Sequence, residues 1–266
     1  MYKSEKINEY TYKILDSYDE AMYLIAGSQK ALLIDTGMEK QSLYKYVSSL
    51  TTKPILLALT HGHIDHIGQS GSFENVYMNL LDRGTYLLHM HMKADHFNSD
   101  GLNFKKIDDI QNMPDYFDLG DRKIDILPLG GHTPGSVIFV DQNQKSVFTG
   151  DAIGSGCGCW MQMDECLSIK QYHQNLLNVL KQLQDRRVDM TWHFYGGHDK
   201  QEYQSKVSHL NRLDIQLLKD MEQLCCKLMQ HDIVFYDTGA LKMTNIPYYV
   251  CHQKAEMIVT KEKIGD

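Results

Sequence analysis

The chain has 266 residues, of which 42% are hydrophobic, and carries 34 acidic against 27 basic side chains for a formal charge of −7. No apolar run approaches the roughly 18 residues of a membrane helix, the opening MYKSEKINEY lacks the apolar stretch of a secretory signal, and the intermixed charge disfavours a polyanion such as nucleic acid. The expectation is a cytoplasmic protein with no membrane or nucleic-acid partner, whose cysteines (157, 159, 166, 225, 226 and 251) are reduced thiols rather than a disulfide framework.

In chain order, the runs MYLIA (22–26) and ALLID (31–35) flank the turn signal Gly27-Ser28-Gln29-Lys30, which predicts a β-hairpin ending in Asp35-Thr36-Gly37. KPILLALT (53–60) reads as a strand buried on both faces and delivers the chain into THGHIDHIG (60–68). VYMN (76–79) reads as a strand and LLHMHMKADHF (87–97) as largely helical, with His89 and His96 two turns apart and His91 facing elsewhere. These three histidines are expected at the surface or a pocket rim. Further β-like runs are KIDILPL (123–129), SVIFVD (136–141) and SVFTGD (146–151).

Two helical patterns follow. Ile169, Tyr172, Leu176, Leu180 and Leu183 keep three-to-four spacing; Val207, Leu210, Asp214, Leu217, Met221, Leu224 and Leu228 do the same with one polar slot. Between them lies the strand-to-loop segment WHFYGGHD (192–199), and 232–259 mixes short β-like runs with turns. The pattern predicts an α/β layered fold, sheets inside and helices outside, in a single domain over 1–266 with 200–266 a C-terminal helix and β extension.

THGHIDHIG concentrates metal-ligand chemistry. In an extended loop residues i and i+2 point the same way, so His61 and His63 can converge on one ion, while Asp65 and His66 at a helix start can turn toward a second. Three other apolar runs end in a ligand-type residue beside small residues that allow close backbone approach: His132 in LGGHTPGS, Asp151 in VFTGDA and His198 in FYGGHD.

The series LIDTG, THGHIDHIG, GGHTPGS, FTGDA and GGH resembles the metallo-β-lactamase-fold hydrolase superfamily over about residues 20 to 200, in its dinuclear glyoxalase II and lactonase-like branch. The resemblance implies a four-layer αββα sandwich with His61, His63 and His132 on one metal, Asp65, His66 and His198 on a second, and Asp151 bridging. It implies Asp35 as a residue that holds the metal loop by hydrogen bonds without touching metal. Two divalent ions are then expected, zinc first, with iron or manganese accepted by the same ligands. Water held between two such ions becomes a bridging hydroxide nucleophile, and Asp65 is the expected catalytic proton carrier.

Departures from neighbouring families narrow the reaction. The bridging Asp151 argues against antibiotic hydrolysis, residues 200–266 lack the basic glutathione-binding region of glyoxalase II, and no basic arm suits an RNase Z-like nuclease. The chain is too short for a flavodiiron protein, and a one-iron persulfide dioxygenase would not need the second set of ligands. What this leaves is a hydrolase of a small ester, thioester or lactone, with a phosphodiesterase or an iron-loaded oxidoreductase on the same site as alternatives. After Asp151, AIGSGCGCWMQM is expected to border the pocket, with Trp160 and Met161 as substrate surface and Cys157 and Cys159 as small buried thiols. Tyr195 is either a hydrogen-bond donor to substrate or a packed tyrosine.

Overall fold

The computed structural model describes residues 1–96, 101–154, 158–199, 213–238 and 246–265, with side chains of the third helix given as far as Met92. Cys157, Val207 and Leu210, and the side chain of His96, lie outside the described residues. The chain divides into two compact units, residues 1–126 with 139–144 and residues 127–138 with 145–266.

In the first unit β1 (Lys3–Asn8), β2 (Thr11–Leu15), β3 (Ala21–Ala26) and β4 (Ala31–Ile34) form an antiparallel meander. The predicted hairpin is β3–β4, closed where Gly27 N–H donates to the Lys30 carbonyl at 2.9 Å. The sheet continues in parallel through β5 (Ile55–Ala58), β6 (Asn75–Met78) and β7 (Gln111–Asn112), giving seven strands in sequence order. The connections carry α1 (Leu43–Leu50), α2 (Ile64–Ile67) and α3 (Arg83–His96), and an antiparallel pair, β8 (Tyr116–Asp118) and β9 (Lys123–Pro128), follows. Every residue of β4 is buried, as a strand with both faces covered requires. Ile14, Met22, Leu24, Leu33, Leu57 and Val76 pack with Leu43 and Val47 of α1 and Tyr86 of α3 into one core.

The register of this sheet positions the histidine-rich loop. Ile34 pairs with Ala58 in parallel, so Asp35 and the Leu59-Thr60-His61 segment leave at the same carboxyl edge, where Asp35 N–H donates to the Ala58 carbonyl at 3.0 Å. Ligand sites in α/β sheets favour that edge.

The second unit includes the start of β10 (Val137–Asp141), then β11 (Ser146–Gly150), β12 (Cys159–Met161), α4 (Ile169–Asp185), β13 (His193–Gly196), α5 (Ile215–Met229), β14 (Tyr236–Asp237), β15 (Tyr248–His252), β16 (Ala255–Val259) and α6 (Lys261–Ile264). β11 and β13 run parallel with Gly150 opposite Gly196, and Gly197 N–H donates to the Gly150 carbonyl at 3.0 Å. Asp151 and His198 therefore emerge together from adjacent strand ends. β12, β16, β15 and β14 make a four-stranded sheet.

α4 begins with a capping box between Ser168 and Gln171 and buries Ile169, Tyr172, Leu176, Val179 and Leu183. The fourth apolar position is Val179; Leu180, expected there, is half-buried one residue further round. The polar slot expected at Asp214 is not inside a helix. Its carboxylate accepts from Leu217 N–H at 2.9 Å as the N-cap, and α5 starts at Ile215. Among the described residues no helix is long and apolar enough to cross a membrane.

Candidate metal centre

The first unit holds His61, His63, Asp65 and His66 on the loop between β5 and α2 and on α2 itself. The His61 ring lies 4.6 Å from that of His63 and 4.1 Å from that of His66, centroid to centroid. Gly62 lets the two histidines stand so close to α3, because a Cβ there would meet the backbone nitrogen of Tyr86 at 2.8 Å.

Asp35 organises this loop. It sits at φ +60° with 2% exposure, and one carboxylate oxygen accepts Thr60 N–H at 2.7 Å. The other, Oδ2, accepts the Thr60 hydroxyl at 2.7 Å and faces His66 Nδ1 at 2.8 Å. An ionised carboxylate only accepts, so His66 carries its proton on Nδ1. The Thr60 hydroxyl has spent its proton on Asp35, so its oxygen accepts from His61 Nδ1 at 2.9 Å. One carboxylate thus fixes the tautomer of two histidines and leaves the basic nitrogen of each at Nε2, the arrangement expected around a metal. Asp65 is the open member, its side chain 24% exposed and 3.6 Å from His66 Nε2.

Several supports of this loop escaped the sequence reading. The buried Asp82 accepts Gly62 N–H at 2.8 Å, and Thr36 donates its hydroxyl to the His66 carbonyl at 2.9 Å. His89, expected at the surface or a rim, is buried: its ring lies 4.3 Å from that of His63, and its Nδ1 accepts Ile64 N–H at 3.3 Å, satisfying the first orphan donor of α2. His91 is exposed.

The second unit brings His132, Asp151 and His198 together. Asp151 is buried, and its Oδ2 lies 3.2 Å from His198 Nε2 and 3.7 Å from His132 Nε2. His132 Nδ1–H donates to the Trp160 carbonyl at 2.8 Å, which again leaves Nε2 as the basic nitrogen. Gly131 sits against Tyr172, where a Cβ would come within 2.1 Å of the ring, and the Tyr172 hydroxyl donates to the Ala152 carbonyl at 2.6 Å, fixing the chain after Asp151. A carboxylate faced by two imidazole nitrogens suits a shared ligand between two cations. Histidine nitrogen and carboxylate oxygen, without sulfur, fit zinc, iron or manganese.

Trp160 is 38% exposed, whereas Tyr195 is half-buried and stacked on Phe148 at 5.4 Å. The neighbouring thiols are structural. Cys166 donates to the His132 carbonyl at 3.1 Å, and burial pushes its pKa up to about 12; burial likewise raises the Cys159 thiol, with Cys166 and Asp151 adding to it.

The sequence model of the family described as Metallo-beta-lactamase superfamily matches residues 18–189. The chain is 26% identical to the acyl-coenzyme A thioesterase MBLAC2 of Gallus gallus, over 51% of this chain and 58% of that protein. It is 28% identical to the hydroxyacylglutathione hydrolase GloC of Haemophilus influenzae, over 53% of this chain and 69% of that one. The alignment thus spans less than two thirds of the length of the MBLAC2 thioesterase. Two solved structures have the same fold: a metallo-beta-lactamase from Pontibacter korlensis, with a TM-score of 0.54 at 18% identity, covering 85% of this chain and 99% of that one, and TMB-1, with a TM-score of 0.57 at 17% identity, covering 85% and 97%.

Proposed function

Because the chain belongs to the metallo-β-lactamase superfamily, we propose that it is a metal-dependent hydrolase of a small ester-type substrate, working with two divalent ions, zinc in the first place. In this reading His61, His63 and His132 hold one ion, Asp65, His66 and His198 hold the other, and Asp151 serves both. The observation that carries the proposal is the hydrogen-bond chain from Asp35, directly to His66 and through Thr60 to His61, which puts the basic nitrogen of each histidine at Nε2 and so supports metal binding there. Ions bound there supply Lewis acidity, acidifying water and polarising a scissile carbonyl.

The remaining tasks fall to the protein. Asp35 holds the histidines and touches no substrate. Asp65, with its partly open carboxylate, takes the proton lost by the attacking water and passes it to the leaving group. The half-exposed Trp160 ring supplies an apolar wall for the acyl portion, and the Tyr195 hydroxyl donates to the substrate.

Among ester, thioester and lactone we place the thioester first. The names of both relatives, acyl-coenzyme A thioesterase and hydroxyacylglutathione hydrolase, denote cleavage of an acyl–sulfur bond. The test is chelator-treated protein reconstituted with zinc, manganese or iron and assayed on an acyl-CoA, a hydroxyacylglutathione, a chromogenic ester, a lactone and bis(p-nitrophenyl) phosphate, with oxygen uptake followed alongside. Metal-dependent cleavage of the carboxylic substrates is expected. Cleavage of the phosphodiester alone, or oxygen uptake by the iron form without hydrolysis, overturns the proposal.

A further inference from the structure

A separate group of metal-type donors lies in the second unit, away from all five motifs in sequence. His173 on α4 faces Glu222 and Cys226 on α5, with Nε2 2.7 Å from Glu222 Oε1 and 3.2 Å from Cys226 Sγ. The sulfur is in turn 3.3 Å from the same Oε1. Glu222 and Cys226 are four residues apart, so they share one face of α5, and His173 closes the triangle from the neighbouring helix. The side chains of His173 and Glu222 are 18% and 21% exposed, which leaves the triangle open to solvent on one side.

We propose that His173, Glu222 and Cys226 form a second metal site, for zinc or a similar borderline-soft divalent ion, that clips α4 to α5. The proposal is independent of the hydrolase reading. Zinc binds imidazole nitrogen, carboxylate oxygen and thiolate sulfur at about 2.0 to 2.3 Å, so tetrahedral ligands sit roughly 3.3 to 3.6 Å apart. The three donor atoms are already close to that spacing and need only spread by less than about 1 Å for an ion to enter between them. Three protein ligands leave the fourth position to water, on the exposed side. On binding, the Cys226 thiol releases its proton to solvent, as does His173 if it is an imidazolium, whereas a neutral imidazole protonated at Nε2 shifts that proton to Nδ1; three lone pairs then point at one cation.

The competing account is an imidazolium–carboxylate pair to which the thiol donates, with no metal. Cobalt separates the two. The full-length protein, stripped of metal and titrated with Co2+, is compared with Cys226→Ser and His173→Gln, counting bound equivalents and following the near-ultraviolet sulfur-to-cobalt charge-transfer band. The seven motif donors are nitrogen and oxygen, so they contribute no such band. The expected result is a sulfur band in the wild type, lost in both variants together with one equivalent of cobalt. Equal stoichiometry in all three proteins, or no band in the wild type, overturns the proposal. If the variants fold poorly, alkylation of Cys226 in the wild type decides, read by peptide mass spectrometry with and without Zn2+. Protection of about tenfold or more is expected, because a metal-held thiolate is withdrawn from reaction, and an unchanged rate refutes the site.

Discussion

Replacing Asp35 by Asn changes no volume and removes one charge, yet it inverts the proton order of the metal loop. Asn keeps an oxygen for Thr60 N–H, but its amide then directs N–H groups at Thr60 Oγ1 and His66 Nδ1, which in the native chain lie 2.7 and 2.8 Å from carboxylate Oδ2. His66 must move its proton to Nε2 so that Nδ1 can accept. The Thr60 hydroxyl loses its acceptor and turns toward His61 Nδ1, driving the same exchange there. Both histidines then present N–H where a lone pair is needed. Loss of such an outer partner typically costs a metal site about 10- to 100-fold in affinity, or about 1.4 to 2.7 kcal/mol per site. The exchange also costs the metal-free fold, by ~1–3 kcal/mol for each imidazole N–H that it turns away from an acceptor. Zinc affinity by competition with a chromophoric chelator, and thermal unfolding of the metal-free protein, read the two effects separately. Thr60→Val is the internal control, because it cuts the route to His61 while leaving the direct His66 contact. If Asp35→Asn bound zinc as tightly as the wild type, the tautomer argument would be wrong.

His63→Ala is expected to abolish hydrolysis with the fold largely intact; full turnover with unchanged metal content would sink the assignment. Gly131→Ala forces a methyl into the Tyr172 ring and should destabilise by about 1–3 kcal/mol in urea unfolding, unlike an alanine at Gly84, which meets no neighbour. Burial, then the hydrogen bond and charge of Asp16, raises the pKa of Glu20 well above its ordinary value. A raised carboxyl pKa means stability that is full below the unfolded pKa of about 4.3 and declines as pH climbs toward the folded one. Glu20→Gln should therefore raise the melting temperature of the metal-free protein at pH 8 more than at pH 5, and a shift that is equal at both would contradict this.

The candidate metal donors were legible as a group because short motifs carry them: strand ends, small residues and i, i+2 spacing are local properties. The elements that hold those donors were not. Asp82, in the turn before α3, and His89, on α3, reach Gly62 and Ile64 from 20 and 25 residues away, and only the packing of that segment against the loop brings them there. His89 in particular reads as a surface or pocket-rim residue, because the periodicity of an isolated helix does not say which neighbour covers it. Asp214 did carry a local signal, an N-cap type immediately before an apolar run, which the uninterrupted three-to-four spacing concealed. β1 and β2 passed without notice, since the mixed polar pattern of the first fifteen residues gives no clean alternation.

His132 is held by the main-chain oxygen of residue 160, and that oxygen is kept in place by the parallel pairing of β12 with β16, which sets Trp160 opposite Ile258. The contact that orients His132 comes from the backbone and not from the side chain that position 160 carries. Evolution, or a saturation library, can exchange the indole for a smaller, longer or charged group while the backbone contact to the histidine stays in place. An exposed side chain and a buried backbone contact meet in one residue, yet they can be inherited separately.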